Sequence, residues 1–527
     1  MTTEFATANP QTPLARVQDL VVGGNQRFLP VMEKGRLVGG ITRTDLLRWL
    51  YTRSNQLSPS SLAEPDFLSL EPRKRAIVKI MEERLPAAVM DLLKNIGRKA
   101  GGLGLQAYAV GGFVRDLLLR KENFDIDLVV EGDGIRLARA LAEESRGKLR
   151  VHQRFGTATL QWSGRYRLDL ATARLEYYEH PAALPRVEHS SIKLDLYRRD
   201  FTVNALAIHL NPEHFGELLD FFGGQKDLKE RVIRVLHNLS FVEDPTRVFR
   251  ALRFEQRIGF QIARQTHLLM ENAVRMELFG RLSGRRLFRE LVLCLSEEKP
   301  LPVLTRLGDY GLLKFFGLKM DRSLEARLQR LEGVVSWYRL LFTGEKFEPW
   351  IVAFLGLAEG LPEKELEGLL LRFSLPEKFR ASFLQRRRMA VQVVHRLSSS
   401  PPPGRSEIYS LLHPLPTDFL LYAMGKTEEE RVKKAISLYF TELKRMKVLL
   451  AGKDLKKMGF VPGPVYTAIL QDLLRRRLEE KISSRQEEID FVLKKYNPRQ
   501  PVWSERPKRP PAARRGKEEL GNRPAPR

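Results

Sequence analysis

The stretch that decides the fold runs from Ala107 to Asp133 and reads AYAVGGFVRDLLLRKENFDIDLVVEGD. A short apolar run, Tyr108 to Val110, breaks at Gly111 and Gly112. A helix is expected over Phe113 to Leu119, and a strand returns at Asp125-Ile126-Asp127 before Leu128-Val129-Val130. The pattern is strand, glycine turn, helix, strand. Two glycines let the backbone approach a phosphate closely, and the first turn of the following helix offers free N–H groups to an anion. Asp125 and Asp127 alternate with Ile126, so in an extended strand both carboxylates share one face while Ile126 enters the core. Paired carboxylates beside a phosphate-binding turn are a place to hold a divalent metal. Arg115 and Asp116 lie on the helix between the two.

Working outward, 527 residues exceed what one core serves, and two to four domains are expected. Charged residues make up 29% and hydrophobic ones 43%, the mix of a globular protein, whereas the net charge of +25 favours a polyanionic partner, nucleic acid first. One cysteine, Cys294, excludes an intramolecular disulfide and a cysteine-only zinc site, which fits a reducing cytoplasm. No basic-then-apolar leader opens the chain and no eighteen apolar residues run together, so neither a signal peptide nor a membrane span is expected.

Toward the N-terminus, Phe28 to Met32 and Arg36 to Ile41 read as two strands joined at Glu33-Lys34-Gly35, and Thr42 to Leu50 as a helix capped by Thr42 or Thr44. This resembles the closing half of a CBS repeat over 1–52, which implies that the chain is the C-terminal portion of a longer polypeptide. The Ser- and Pro-rich residues over 53–72 read as a linker, and Arg73 to Lys99 as a helix interrupted at Pro86. Downstream, Asp133 to Arg146 reads as helix, and Leu149 to Val151, Ala158 to Trp162 and Arg165 to Leu170 as strands. The fold class expected is α+β: an α/β head with a mixed sheet over 73–225, then an extended all-helical part. From Lys226 on, apolar residues recur at three and four spacing. The end, 497–527, is Pro- and Arg-rich, and is expected to be a disordered basic tail.

Three further segments carry chemistry. Asp169 lies between Leu168 and Leu170 on an apolar strand, where a third carboxylate completes a cation site or takes a proton from an attacking hydroxyl, with Asp200 as the rival candidate. Leu175 to Lys193 shows little periodicity. The run Arg198-Arg199-Asp200-Phe201-Thr202-Val203-Asn204 brackets apolar residues with polar ones suited to gripping ribose and triphosphate, Arg199 and Asn204 among them. In Asp244-Pro245-Thr246-Arg247, Pro245 suits the first turn of a helix capped by Asp244, and Arg247, Arg250 and Arg253 then recur every three residues. Arginines stacked on one face need anions opposite, and a nucleotide triphosphate supplies them. A carboxylate and a guanidinium one turn apart satisfy the amino donor and ring-nitrogen acceptor of cytosine or adenine, whereas guanine and uracil set a carbonyl against the carboxylate.

GGFVRD with DID, RRDFTVNALA and EDPTRVFRALRF, in this order from Tyr108 to Phe260, resemble the class II tRNA nucleotidyltransferases, the CCA-adding enzymes and bacterial poly(A) polymerases. The Asp169-Leu170-Ala171 to Arg174 segment is similar to the family's Asp-x-Ala-x-x-Arg pattern. The resemblance implies a magnesium-dependent enzyme in which Asp125 and Asp127 bind Mg2+, Gly112 and Arg115 contact the nucleotide, Arg199 contacts the sugar, and Asp244 and Arg247 read the base with Arg250 and Arg253 nearby. Ser283, Arg285, Arg286 and Glu290 match a motif that braces this reader, with Arg285 where many relatives carry an acid. It also implies a neck over 226–300, a body and tail over 301–496 that bind the acceptor and TΨC arms of tRNA, and ATP as substrate with CTP as the alternative. The CBS-like start and the long Arg174–Arg198 segment favour addition of the terminal A. Full CCA addition, polyadenylation and a catalytically silent RNA-binding or nucleotide-sensing protein are the rival expectations.

Overall fold

The computed structural model describes residues 5–13, 16–17, 20, 28–42, 45, 71–145, 147–162, 166–177 and 186–496. Most of the predicted Thr42–Leu50 helix, nearly all of the linker over 53–72 and the whole basic tail over 497–527 lie outside these. The chain divides into two compact units, Met1–Arg387 and Arg388–Arg527.

In the first unit, β1 (Phe28–Glu33) and β2 (Arg36–Thr42) form the predicted antiparallel hairpin. The head is built on an eight-stranded sheet. Its strands are β3 (Arg73–Ala76), β4 (Gln106–Val110), β5 (Asp125–Glu131), β6 (Lys148–His152), β7 (Thr157–Trp162), β8 (Tyr166–Thr172), β11 (Leu206–His209) and β12 (Glu217–Asp220). A separate hairpin pairs β9 (Arg174–Tyr177) with β10 (Arg186–His189). The order across the large sheet is β3-β12-β11-β4-β5-β8-β7-β6, with β5 and β8 parallel and the other neighbours antiparallel, so the sheet is mixed as expected.

Alternation sorts the two faces. Ile126, Leu128, Val130, Leu160, Leu168 and Leu170 are buried on the side packed by the Gly134–Ser145 helix; each such side chain stabilises the fold by about 1.5–3 kcal/mol. Asp125, Asp127 and Asp169 therefore emerge together on the opposite face.

Two expectations need correction. Arg73–Ala76 is an edge strand paired with β12, and helix begins only at Val78–Arg84, resuming at Ala87–Gly102 after Pro86. Four residues with three exposed cations read as a polar helix turn, while an edge strand needs only one paired side and tolerates such a sequence. The Leu175–Lys193 segment, which showed little periodicity, contains the β9–β10 hairpin and the start of the Ile192–Tyr197 helix.

Among the described residues beyond the head, helices dominate apart from the two-residue parallel pair of β13 (Val232–Ile233) and β14 (Gln261–Ile262). The Thr246–Phe254 helix continues as a π turn over Glu255–Gly259. In the second unit, residues from Leu450 to Val492 enclose a small core of their own. Glu488 is fully buried there and accepts the Leu449 and Leu450 N–H groups. No described helix is long and apolar enough to cross a membrane.

Candidate active site

The parallel register of β5 and β8 sets Asp125 opposite Arg167 and Asp127 opposite Asp169. Asp169 is held from two sides: Thr159 Oγ1 donates to it at 2.6 Å and Arg167 pairs with it at 2.9 Å. Burial pushes the Asp127 carboxyl up to about 6; Arg199 opposes this, and the charges of Asp125 and Asp169 add to it. Among the described residues no three acidic, histidine or cysteine side chains close into a ready metal cage. Mg2+ does not require one, since it is held by one or two carboxylates together with waters and substrate phosphates. An all-oxygen pair on one strand face, crowded by a third carboxylate whose repulsion a cation relieves, fits that ion.

Gly111 adopts φ +70°, a conformation that glycine takes without strain. A Cβ there would lie 2.9 Å from an Arg199 guanidinium nitrogen and 3.6 Å from Asp127 Oδ2, so the turn brings backbone against both groups. Arg115 is buried; its Nε and one terminal nitrogen grip Asp116 at 2.8 and 2.9 Å, its other terminal nitrogen donates to Asn204 Oδ1 at 2.8 Å, and its guanidinium lies 5.1 Å from the Phe254 ring centre. Asp116 does not line the cleft. It locks Arg115 and accepts from Asn123 Nδ2 at 2.8 Å.

Asp195, which the sequence reading passed over, is fully buried on the Ile192–Tyr197 helix and holds two arginines, Arg198 at 2.6 Å and Arg199 at 3.1 Å. Burial pushes its carboxyl up, but the charges of Arg199 and Arg198 outweigh that and hold it below the usual range. The signal was present: an acid three and four residues ahead of a pair of arginines. Arg199 Nε is buried without a hydrogen-bond partner. Arg198 contributes differently, its carbonyl accepting from Arg247 at 2.6 Å.

The arginine helix spans Thr246–Phe254. Asp244 stands just before it, and its Oδ1 accepts from Thr246 N at 3.0 Å, from Thr246 Oγ1 at 2.6 Å and from Arg286 at 2.7 Å. Nothing among the described residues donates to Oδ2. Arg247 is fixed by Ser240 Oγ and the Arg198 carbonyl, each at 2.6 Å. Arg250 pairs with buried Asp200 at 2.6 Å, and Arg253 with Glu297 at 2.9 Å. The charge expected from a nucleotide is thus answered at Arg250 and Arg253 by carboxylates of the chain, which ties Asp200 to the arginine helix. Ser283 caps the Gly284–Leu295 helix and Arg286 braces Asp244, as expected of that motif. Glu290, in contrast, is buried with Oε2 unpartnered, and Arg285 does not line the cleft.

One cleft of about 950 Å³ gathers Gly111, Gly112, Arg115, Asp125, Asp127, Asp169, Arg199, Asn204, Asp244, Arg247, Arg250 and Arg253. Asn123, also unnoticed in the sequence, joins them and accepts the Asp125 N–H at 2.9 Å.

A family model described as the Poly A polymerase head domain matches residues 107–234, and one described as the CBS domain matches residues 1–52. An A-adding tRNA nucleotidyltransferase of Geobacter sulfurreducens is 44% identical over 500 residues, covering 94% of this chain and 57% of its own length. One from Halalkalibacterium halodurans is 31% identical over 435 residues, 81% of this chain and 97% of its own. The solved Thermotoga maritima CCA-adding enzyme complexed with tRNA superposes with a TM-score of 0.58 at 33% identity, over 80% of this chain and 98% of that one. Fold and site together define a head of the poly A polymerase type, with strand-borne carboxylates and an arginine helix on one cleft. The chain belongs to the tRNA nucleotidyltransferase family, and it spans just over half the length of the Geobacter relative.

Proposed function

We propose that this protein adds the terminal A of the tRNA CCA end from ATP, without a nucleic acid template. The observation that carries the reading is the shared cleft, which faces the Asp125–Asp127 pair with the Asp244–Arg247 pair. The names of the Geobacter and Halalkalibacterium relatives, both A-adding, support the choice of nucleotide.

In this reading Asp125 and Asp127 hold Mg2+, which when bound lowers the pKa of the attacking 3′-hydroxyl and offsets charge on the leaving pyrophosphate. Asp169, across the strand pair, receives the hydroxyl proton. Arg199 offers its terminal nitrogen beside Gly111 to the sugar and phosphates, while Gly111 and Gly112 let the triphosphate approach the backbone. Asp244 Oδ2 accepts the exocyclic amino group of the base and Arg247 donates to the ring nitrogen. Arg115 and Asn204 act by holding the turn that carries these groups, and Arg250 and Arg253 by neutralising the cleft wall through their carboxylate partners. Residues 73–225 then serve as catalytic head and 226–300 as neck, while 301–496 grip the acceptor and TΨC arms through phosphate contacts and shape.

Full CCA addition is the second reading, favoured by one observation: a carboxylate oxygen and a guanidinium satisfy cytosine as well as adenine. Incubation with tRNAs ending before CCA, at C and at CC, each with a single nucleotide, tests the choice. A addition to the CC end alone is the expected result, and C incorporation overturns it.

A further inference from the structure

The rows of the head sheet run beyond the carboxylates. In register across four strands lie Asp125, Arg167, Gln161 and Lys148, and in the next row Asp127, Asp169, Thr159 and Arg150. Both rows therefore lead from acids on β5 to cations on β6, the last strand of the sheet. Three strand spacings separate the ends of a row, about 14 Å. Lys148, Arg150 and His152 are exposed, whereas Leu149 and Val151 between them are half-buried on the other face. Lys148 and Arg150 form no ion pair with any described residue. The β6–β7 hairpin closes at Phe155, which is 54% exposed, its carbonyl accepting from Arg174 at 3.2 Å.

Edge strands often carry cations simply to discourage pairing with another sheet. At the opposite edge that account suffices: β3 also carries exposed Arg73 and Arg75, with Lys74 paired with Glu217 at 2.8 Å, and only apolar residues, Leu219, Ala207 and Val110, follow Lys74 across the next strands. It leaves unexplained the sorting of charge on the β6 side, where the acids of this face sit at the catalytic strands and unpaired cations line the rim beyond them. The nucleotide-reading groups Arg199, Arg247 and Asp244 enclose the cleft from elements outside the β8–β7–β6 side, on which Arg167, Lys148 and Arg150 are exposed among the described residues.

We infer that the β8–β7–β6 face is the track of the single-stranded RNA 3′ end: its terminal hydroxyl meets Asp125, Asp127 and Asp169, the phosphates behind it meet Lys148 and Arg150, and a base stacks on Phe155. The inference rests on the proposed RNA-extending function and deepens it by assigning the primer strand a surface distinct from the nucleotide's. Phosphate contacts of this kind hold without reading sequence, and an exposed ring accepts any base.

The test is equilibrium binding without nucleotide, comparing tRNA ending in CC with the same tRNA lacking those two residues. The Lys148→Ala/Arg150→Ala variant should bind the CC-ended tRNA about tenfold more weakly, its log–log salt slope reduced by about 1.4, and should bind the shortened tRNA as the parent does. Phe155→Ala should lose about tenfold on the same substrate alone. Lys148→Arg/Arg150→Lys, which keeps the charge, should restore binding, and Arg73→Ala/Arg75→Ala at the opposite edge should match the parent on both. Equal losses on both tRNAs, no loss on either, or an equal loss in the opposite-edge control would each overturn the track. Because nucleotide is absent, a parent enzyme that incorporated C would overturn the A-adding reading while leaving this result readable.

Discussion

The two walls of the cleft are built on opposite terms. On the sheet wall, Asp125, Asp127 and Asp169 are placed by backbone register, and burial, opposed by Arg199 and with the charges of Asp125 and Asp169 adding, pushes Asp127 up to about 6. On the helix wall nearly every charge is answered within the chain: Arg250 by Asp200, Arg253 by Glu297, Arg247 by a hydroxyl and a carbonyl, Asp244 by Arg286. A wall that stores repulsion is prepared for a cation from outside, whereas a saturated wall is prepared to present a fixed pattern of donors and acceptors. In the proposed function, that difference separates the chemistry from the choice of base.

The contrast can be broken most severely on the sheet side. Asp127→Asn is expected to lower single-turnover incorporation by about 10³-fold with tRNA affinity unchanged, since several kcal/mol of metal-supplied stabilisation disappear while the fold keeps its hydrogen-bonding shape. On the helix side the expected loss is of selectivity. Asp244→Ala should reduce the preference for ATP over GTP by about 100-fold, measured as the ratio of kcat/KM values, with a smaller effect on the rate with ATP.

Asp195 sits behind both walls and sharpens the comparison. Asp195→Asn should raise KM for ATP about tenfold by loosening Arg199, at little cost to KM for tRNA, and Asp195→Glu should recover part of the loss. A purely structural role would instead lower stability with no split between the two KM values.

The smallest effect on catalysis is expected at His237, whose signature lies in stability. Burial, with the charge of Arg247 adding, pushes its imidazole down to about 3. The unfolded chain takes up that proton near pH 6.5, so the neutral histidine contributes stability that is present above about pH 6.5 and is lost as pH falls toward the folded value. His237→Gln should flatten the pH dependence of urea unfolding over that window by about 1.4 kcal/mol per pH unit, and an unchanged slope would contradict the assignment.

What could be read from residue order follows the same division. The sheet wall was legible because strand alternation is local: Asp125, Ile126 and Asp127 declare their faces, and Gly111 with Gly112 declares the turn. The helix wall was legible as a stripe of arginines but not as a set of pairs, because Asp200 and Glu297 lie 50 and 44 residues from their partners. The pairing of Asp116 with its neighbour Arg115 and with Asn123 was not declared by residue order either. The edge strand Arg73–Ala76 was hidden by its own charges, and the β9–β10 hairpin by the absence of alternation over Leu175–Lys193. Asp195 could have been found from its three- and four-residue spacing to Arg198 and Arg199, a helical cue in a segment read as irregular.

Residue 198 belongs to two circuits at once, its side chain answering to Asp195 and its carbonyl steadying Arg247. In the proposed reading, groups that grip the sugar and groups that read the base therefore share a single hinge pin, and neither can be retuned in isolation. Selection for a new nucleotide from a library randomised at 195, 198, 199 and 247 should return linked combinations, because a shift of that one peptide is felt on both sides.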